Sequence, residues 1–310
     1  MNFPNIRGSI LARGLVLLAV VTGLGSSALA QSSSLQGFPS ADAAATALTE
    51  AIRKDDDKAV SAILGTGWRD LIPGTSDDED RAREKFLAAW DKSHKLVPAG
   101  DDKTLIEVGD TGWVSPIPLV KAGAEWRFDV EAGQKEMLAR EIGRNELATI
   151  QSLLAIGDAQ RDYAALDPMK VGSPVYARRL LSSPGRKDGL YWDAATGEPQ
   201  SPLGPLLAKA QPGDVQEVGY HGYRYRLLYA QGAAAPGGAY DYIVNGRMLG
   251  GFAVIASPVA YDETGVMTFI YSHSGDVYER DLGPETSKLA AAIQVFNPDT
   301  GWEKSDTTPP

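Results

Sequence analysis

The sequence predicts an α+β protein in which N-terminal helices pack on a curved antiparallel sheet and a long helix then packs on a second antiparallel sheet. Three observations lead there. Apolar residues recur at spacings of three and four before Pro98. A long helical stretch runs from Lys135 to Tyr163. From Tyr223 to Tyr278 short segments alternate apolar and polar residues, the period of strands with one wet face. Helices followed by strands thus occur twice.

The first element is a leader. Arg7 and Arg13 supply positive charge, Gly14 to Gly25 is apolar, and Ala28-Leu29-Ala30 is a small-x-small cleavage site. This is the pattern of a secretory signal peptide, residues 1–30. The apolar run is shorter than the ~20 residues that cross a bilayer. Cleavage after Ala30 leaves a mature chain starting near Gln31, periplasmic or secreted, with no later span. Loss of two arginines leaves 28 basic against 40 acidic residues, a net charge of −12.

A polar spacer, 31–37, leads into an α+β domain over 38–140. Ser40 can cap a helix beginning at Ala41, with Leu48 and Ile52 on one face. The acidic run Lys54 to Lys58 interrupts it, and Ala59, Ile63 and Leu64 resume the pattern, so two short helices are expected. Gly65, Gly67 and Pro73-Gly74 mark a loop. Asp77 to Asp80 can open a third helix, since acids favour its positive end, and Ala82, Phe86 and Trp90 give its buried face. Thr104 to Val108 reads as a strand, Gly112 to Val120 as an edge strand with two prolines, and Trp126, Phe128 and Val130 alternate with Glu125, Arg127 and Asp129.

The second domain is expected over 141–298, with a polar tail at 299–310. In its helix Leu147, Ile150 and Leu154 share a face, Gly143 and Gly157 weaken the helical signal, and Asp167-Pro168 ends it. A Pro/Gly-rich loop spans 166–219 and either wraps the surface or is the functional surface. Strands follow at Tyr223–Tyr229, Gly251–Pro258 and Val266–Tyr271, and Ser274-Gly275-Asp276 turns into a hairpin at Val277-Tyr278. Ser287 to Phe296 closes the domain as a short helix or strand.

Composition excludes several functions. The 310 residues include no cysteine, so disulfides, thiolate metal sites and a cysteine nucleophile are impossible. A formal net charge of −10 argues against nucleic acid as a partner. No HExxH, P-loop, GxSxG or EF-hand loop occurs, and no cofactor is implied.

The helix Asn145–Gln151 to Tyr163, the loop Asp188-Gly-Leu-Tyr-Trp192 with Ser201-Pro-Leu-Gly-Pro205, and the strands around Gly222-Tyr-Arg-Tyr225, Gly251–Pro258 and Gly265–Phe269 together resemble an exported bacterial family catalogued as domain of unknown function 2950. That resemblance implies export and carries no catalytic residue. The helices followed by the Glu125–Asp129 strand are similar to nuclear-transport-factor-2-like folds over about 38–135, which implies a concave sheet used for binding or catalysis. Ser152-Leu153, Ala159-Gln160 and Tyr163 on the long helix, followed by an antiparallel sheet, resemble pilin-like globular domains over 143–297. The ordinary leader departs from pilins and implies a soluble form of that fold.

Three groups of residues carry chemistry. His221 and His273 can meet at one end of the second sheet with Asp188 or Asp276 nearby, a site for a metal or a proton; each can equally be a turn residue. His94 continues the Trp90 face near a helix end and reads as a packed residue. Asp276, Glu279 and Asp281 are candidate calcium ligands, and the runs 55–57 and 77–80 are the other acidic clusters, read as solvated helix ends. Asp188, Tyr191 and Trp192 lie in the Pro/Gly-rich loop, where aromatic rings suit contact with a peptide, glycan or protein or else anchor the loop. Two functions compete: a non-enzymatic envelope module that binds a protein or polymer, and a periplasmic hydrolase using a His/Asp or metal site near His221 and His273.

Overall fold

The structure is a computed structural model that describes residues 35–72, 75–203 and 219–308. The expected leader, most of the spacer, the Pro73-Gly74 pair and residues Gly204 to Leu206 lie outside the described residues. The chain divides into two compact units between Leu138 and Ala139.

In the first unit three helices, α1 (Ala41–Arg53), α2 (Asp57–Leu64) and α3 (Ser76–Lys92), precede an antiparallel sheet. Its strands are β1 (His94–Pro98), β2 (Lys103–Val108), β3 (Trp113–Val114), β4 (Leu119–Ala122) and β5 (Glu125–Phe128), in the order β1-β2-β4-β5 with β3 also on β2. Ser40 caps α1 by accepting from the Ala43 amide at 3.1 Å. The acidic run separates α1 from α2 because Asp55 takes φ 55° and the Asp56 carboxylate then accepts from the Ala59 amide at 3.0 Å. Phe38, Ala44, Ile63, Trp90, Ile106, Leu119 and Phe128 form the core.

Two expectations are corrected here. Pro116 and Pro118 split the expected Gly112–Val120 strand into β3 and β4, since proline cannot donate to a ladder. His94 lies beyond the end of α3 and opens β1, a strand not anticipated from the sequence, whose residues 94–98 pair with 108–104. Its ring stacks on Trp90 at 3.9 Å, and its Nδ1 donates to the Trp90 carbonyl at 3.0 Å.

The unit division falls within α4 (Val130–Leu166), one unbroken helix of 37 residues. In the second unit it is followed by β6 (Tyr223–Leu228), β11 (Ala253–Pro258), β12 (Met267–Ser272), β13 (Val277–Asp281), α5 (Thr286–Ala292) and β14 (Glu303–Lys304). The strands make one antiparallel sheet, β14-β13-β12-β11-β6. Two short hairpins, β7 (Ala230–Gln231) with β8 (Tyr240–Asp241) and β9 (Ile243–Val244) with β10 (Arg247–Met248), lie between β6 and β11. One sheet face, with Tyr223, Leu227, Val254, Ala256, Phe269, Tyr271 and Val277, shares a core with Ile150, Leu153, Ile156 and Tyr163 of α4. The opposite face carries Arg226, Ile255, Thr268, Ile270, Tyr278 and Arg280 and receives α5.

The long loop wraps the body over its described part. Ala177, Leu190, Trp192 and Leu203 are buried in the core, and Tyr176 bridges Met248. Residues 303–305 are likewise not tail: β14 pairs with β13, the Ser305 amide donates to the Val277 carbonyl at 2.9 Å, and Trp302 packs on the core. A two-residue strand gives little periodicity to detect, and its neighbours are polar.

The two helix glycines have different reasons to be there. A Cβ at Gly157 would lie 2.1 Å from the Tyr271 hydroxyl and 2.7 Å from its ring, so glycine lets the helix close on the sheet. Gly143 faces open space. Gly157→Ala should therefore destabilise the protein by about 1–3 kcal/mol through overpacking against a buried ring. Gly143→Ala should stabilise it by up to about 1 kcal/mol. Urea unfolding of both variants checks the contrast.

Candidate functional site

A cleft of about 260 Å³ opens on the α5 face of the second sheet. Its floor is Ile270 of β12 and Arg280 of β13. One wall is the segment after α5, with Ala292, Ile293, Gln294, Val295 and Asn297, and the other holds Asp299 and Trp302. Main-chain bonds strap the first wall to β7: the Gly232 amide donates to the Phe296 carbonyl at 2.9 Å, and the Phe296 amide to Ala230 at 3.0 Å. The Asn297 side chain accepts from the Ala234 amide at 2.9 Å. The second wall is a turn, with the Trp302 amide donating to the Asp299 carbonyl at 2.9 Å and the Gly301 amide to the Asp299 carboxylate at 3.0 Å.

Two arginines on this face have different duties. Arg226 donates to the carbonyls of Ala290 at 2.9 Å and Ile293 at 2.7 Å, which neutralises the negative end of α5 and fixes one lip of the cleft. Burial pulls its pKa down. Arg280 is exposed and engages no carboxylate among the described residues. Its guanidinium lies against Gly301, where a Cβ would come within 2.5 Å of Nη1 and 2.8 Å of Cζ. Directly opposite Arg280 on β12, Thr268 is fully buried and its hydroxyl has no hydrogen-bond partner among the described residues. Arg280 and Trp302 were not legible as site residues. Arg280 sits in a short charged strand, and Trp302 sits in what reads as tail.

The structure places the sequence candidates elsewhere. His221 and Gly222 are the centre of a tight turn, both at positive φ (51° and 71°), with Tyr220 and Tyr223 exchanging main-chain bonds. That turn precedes β6, whereas His273 follows β12. Both strands are antiparallel to β11, so the two histidines lie at opposite ends of the sheet, roughly 20 Å apart by strand length. The expectation that they meet is corrected by this topology. His273 is held by the Phe252 carbonyl at 3.4 Å on Nδ1 and the Tyr240 hydroxyl at 3.3 Å on Nε2. A carbonyl only accepts, so Nδ1 is the donor of the first of these bonds.

Asp188 accepts from the Ser183 amide at 2.8 Å and hydroxyl at 3.0 Å, with Arg186 at 3.5 Å, and so staples its own loop. Although burial opposes it, these bonds and Arg186 hold its pKa low. Trp192 is 6% exposed and donates to the Pro199 carbonyl at 3.3 Å, edge-on to Tyr163. Tyr191 is half-buried and donates to Asp193 at 2.9 Å. Of the two readings of the Trp192 ring, contact with a partner or anchoring of the loop, its burial and bonds fit the anchor.

The calcium candidates are dispersed in separate bonds. Asp276 pairs with Lys304 at 2.7 Å, Glu279 accepts from the Ser305 hydroxyl at 2.8 Å, and Asp281 accepts from the Gly283 amide at 2.7 Å. Among the described residues no three His, Asp or Glu side chains could hold a metal. The other acidic runs are engaged too. Asp57 and Glu79 pair with Arg69, and Asp55 and Asp80 with Arg83. Asp78 accepts from the Thr75 amide and hydroxyl, which with Arg81 lowers its pKa to about 2.

A further group was not anticipated. Glu146 of α4 reaches the sheet, where one carboxylate oxygen accepts from the amides of both Val266 and Met267 at 2.9 Å. Tyr223 lies beside it and donates to the Met267 carbonyl at 2.9 Å. Burial raises the Glu146 pKa from 4.5, opposed by the two amides and reinforced by the nearby Glu279 charge. The fold therefore holds this proton more tightly than the unfolded chain. That contribution is full below pH 4.5 and is lost as pH rises through the raised value. Glu146→Gln keeps an acceptor for both amides and removes the buried charge, so stability should decline less above pH 4.5 than in the native chain. Glu146→Ala orphans two amides and should cost about 1–3 kcal/mol at every pH. Urea midpoints between pH 4 and 8 test both.

Comparison with known proteins adds one match. The profile of the family described as "Protein of unknown function (DUF2950)" matches residues 35–305. No curated protein and no solved structure matches the chain, so the likenesses to nuclear-transport-factor-2-like and pilin-like folds gain no support from comparison. Asn145, Glu146, Gln160 and the Asp188–Trp192 loop, which carried the resemblance, are the residues that join helix, loop and sheet in the second unit. With the match spanning nearly all of the described residues, the chain belongs to the DUF2950 family.

Proposed function

We propose that the protein is an exported, non-enzymatic binding module, periplasmic or secreted after cleavage of its leader, whose second unit takes its ligand in the Arg280–Trp302 cleft. One observation carries this: a guanidinium without a carboxylate partner stands in a cleft lined by both polar and apolar side chains. A concavity that joins a few polar groups to apolar contact is a usual setting for a ligand. The hydrolase alternative needs two of His221, His273, Asp188 and Asp276 within reach, and no hydrogen bond or ion pair joins any two of them. An envelope protein or polymer that exposes a small group fitting the cleft is the natural partner class.

The test is an NMR titration of isotope-labelled mature protein with a panel of small acids, amines, sugars and short peptides. Shifts should concentrate on residues 293–302, and every compound should be recovered unchanged. Conversion of a compound would overturn the non-enzymatic reading, and shifts that avoid 293–302 would overturn the site. Export is tested separately by intact mass of the protein from the envelope fraction, which should begin at Gln31.

A further inference from the structure

We propose that the cleft is selective for a monoanionic carboxylate carried beside a small apolar group, with Arg280 as its cation. This rests on the cleft being the ligand seat. Arg226, on the same face, already bonds two carbonyls at the end of α5 through Nη2. Arg280 is the cation among the lining residues. A planar guanidinium matches a carboxylate with two parallel N–H···O bonds.

The guanidinium also has main chain beside it. It lies on the turn at Gly301, whose missing side chain makes the room, and that turn is closed by the Asp299 bonds to Gly301 and Trp302.

Size and charge narrow the ligand. The cleft, at about 260 Å³, is below the usual range for drug-sized ligands, so it suits one small group. Ile270, Ile293, Val295 and Trp302 offer apolar contact. Asp299 is the acid in the lining, and its negative charge opposes a dianion such as phosphate more than a monoanion. A carboxylate with a branched aliphatic neighbour satisfies all three conditions. A free acid and the C-terminus of a peptide both carry it.

The experiment is saturation-transfer and shift-perturbation NMR on the full mature chain with N-acetyl-leucine, N-acetyl-leucinamide and inorganic phosphate. N-acetyl-leucine should bind and shift the Trp302 indole, while the amide and phosphate should bind at least about ten-fold more weakly, the worth of one charge-assisted pair. Arg280→Gln should lose about ten-fold in affinity for N-acetyl-leucine at unchanged melting temperature, and Arg280→Lys should recover part of it. Gly301→Ala keeps the charge but displaces the guanidinium, and should also weaken binding. Isovalerate against a tripeptide ending in leucine separates the two sources of the carboxylate.

Equal binding of acid and amide, or an affinity unchanged in Arg280→Gln, would overturn the proposal. If no carboxylate binds while other compounds still shift residues 293–302, the ligand class fails and the cleft stands. If nothing shifts those residues, both fail.

Discussion

The second unit depends on how α4 is fastened to what surrounds it. Glu146 takes two consecutive amides of the chain entering β12, and Gln160, fully buried, exchanges two bonds with the main chain of Ala177 at 3.0 and 2.8 Å. One end of the helix face is tied to the sheet and the other to the long loop. Apolar contact alone tolerates sliding, whereas paired main-chain bonds fix the register. Gly157 lies between these ties, where the helix closes on Tyr271. Asn145, donating to the Thr264 carbonyl at 3.0 Å, extends the same fastening by one residue.

The loop shows how such fastening replaces regular structure. From Pro168 to Leu203 it forms no strand of its own, yet its apolar residues reach the core and its polar ones staple it locally. Asp167 accepts from the amides of Val171 and Gly172 at 2.7 and 2.8 Å just after the helix ends, and Tyr163 donates to the Lys187 carbonyl at 2.6 Å. Burial pushes the Tyr163 hydroxyl up to about 12, so it stays a donor at any ordinary pH. A protein without cysteine holds a long excursion by buried rings and side-chain-to-main-chain bonds.

Much of the fold was legible because it rests on periodicity. Ser40, the acidic break at 54–58, the end of α4 before Pro168 and the 274–276 turn announce themselves by residue type. Elements that depend on distant partners did not. β1 and β14 are short and take their register from β2 and β13, and the split at Pro116 and Pro118 follows from ladder chemistry that a run of β-formers conceals. The site was the least legible part. His, Asp and Trp attract attention by chemistry, but whether Trp192 is buried or Asp188 already bonded is a matter of packing. Arg226 and Arg280 look alike in sequence and differ only in what the third dimension puts beside them.

The placement of Trp302 has a consequence for assembly. Polypeptides emerge N-terminus first, and the floor of the cleft, β12 and β13, precedes by some twenty residues the turn that makes its second wall. The complete cleft therefore cannot exist on a chain that has emerged only as far as β13. It is completed only when residues 299–305 return to cover the outer edge of β13, the same step that removes an open strand edge from contact with other chains. Closure of the cleft and protection of that strand edge therefore depend on the same residues.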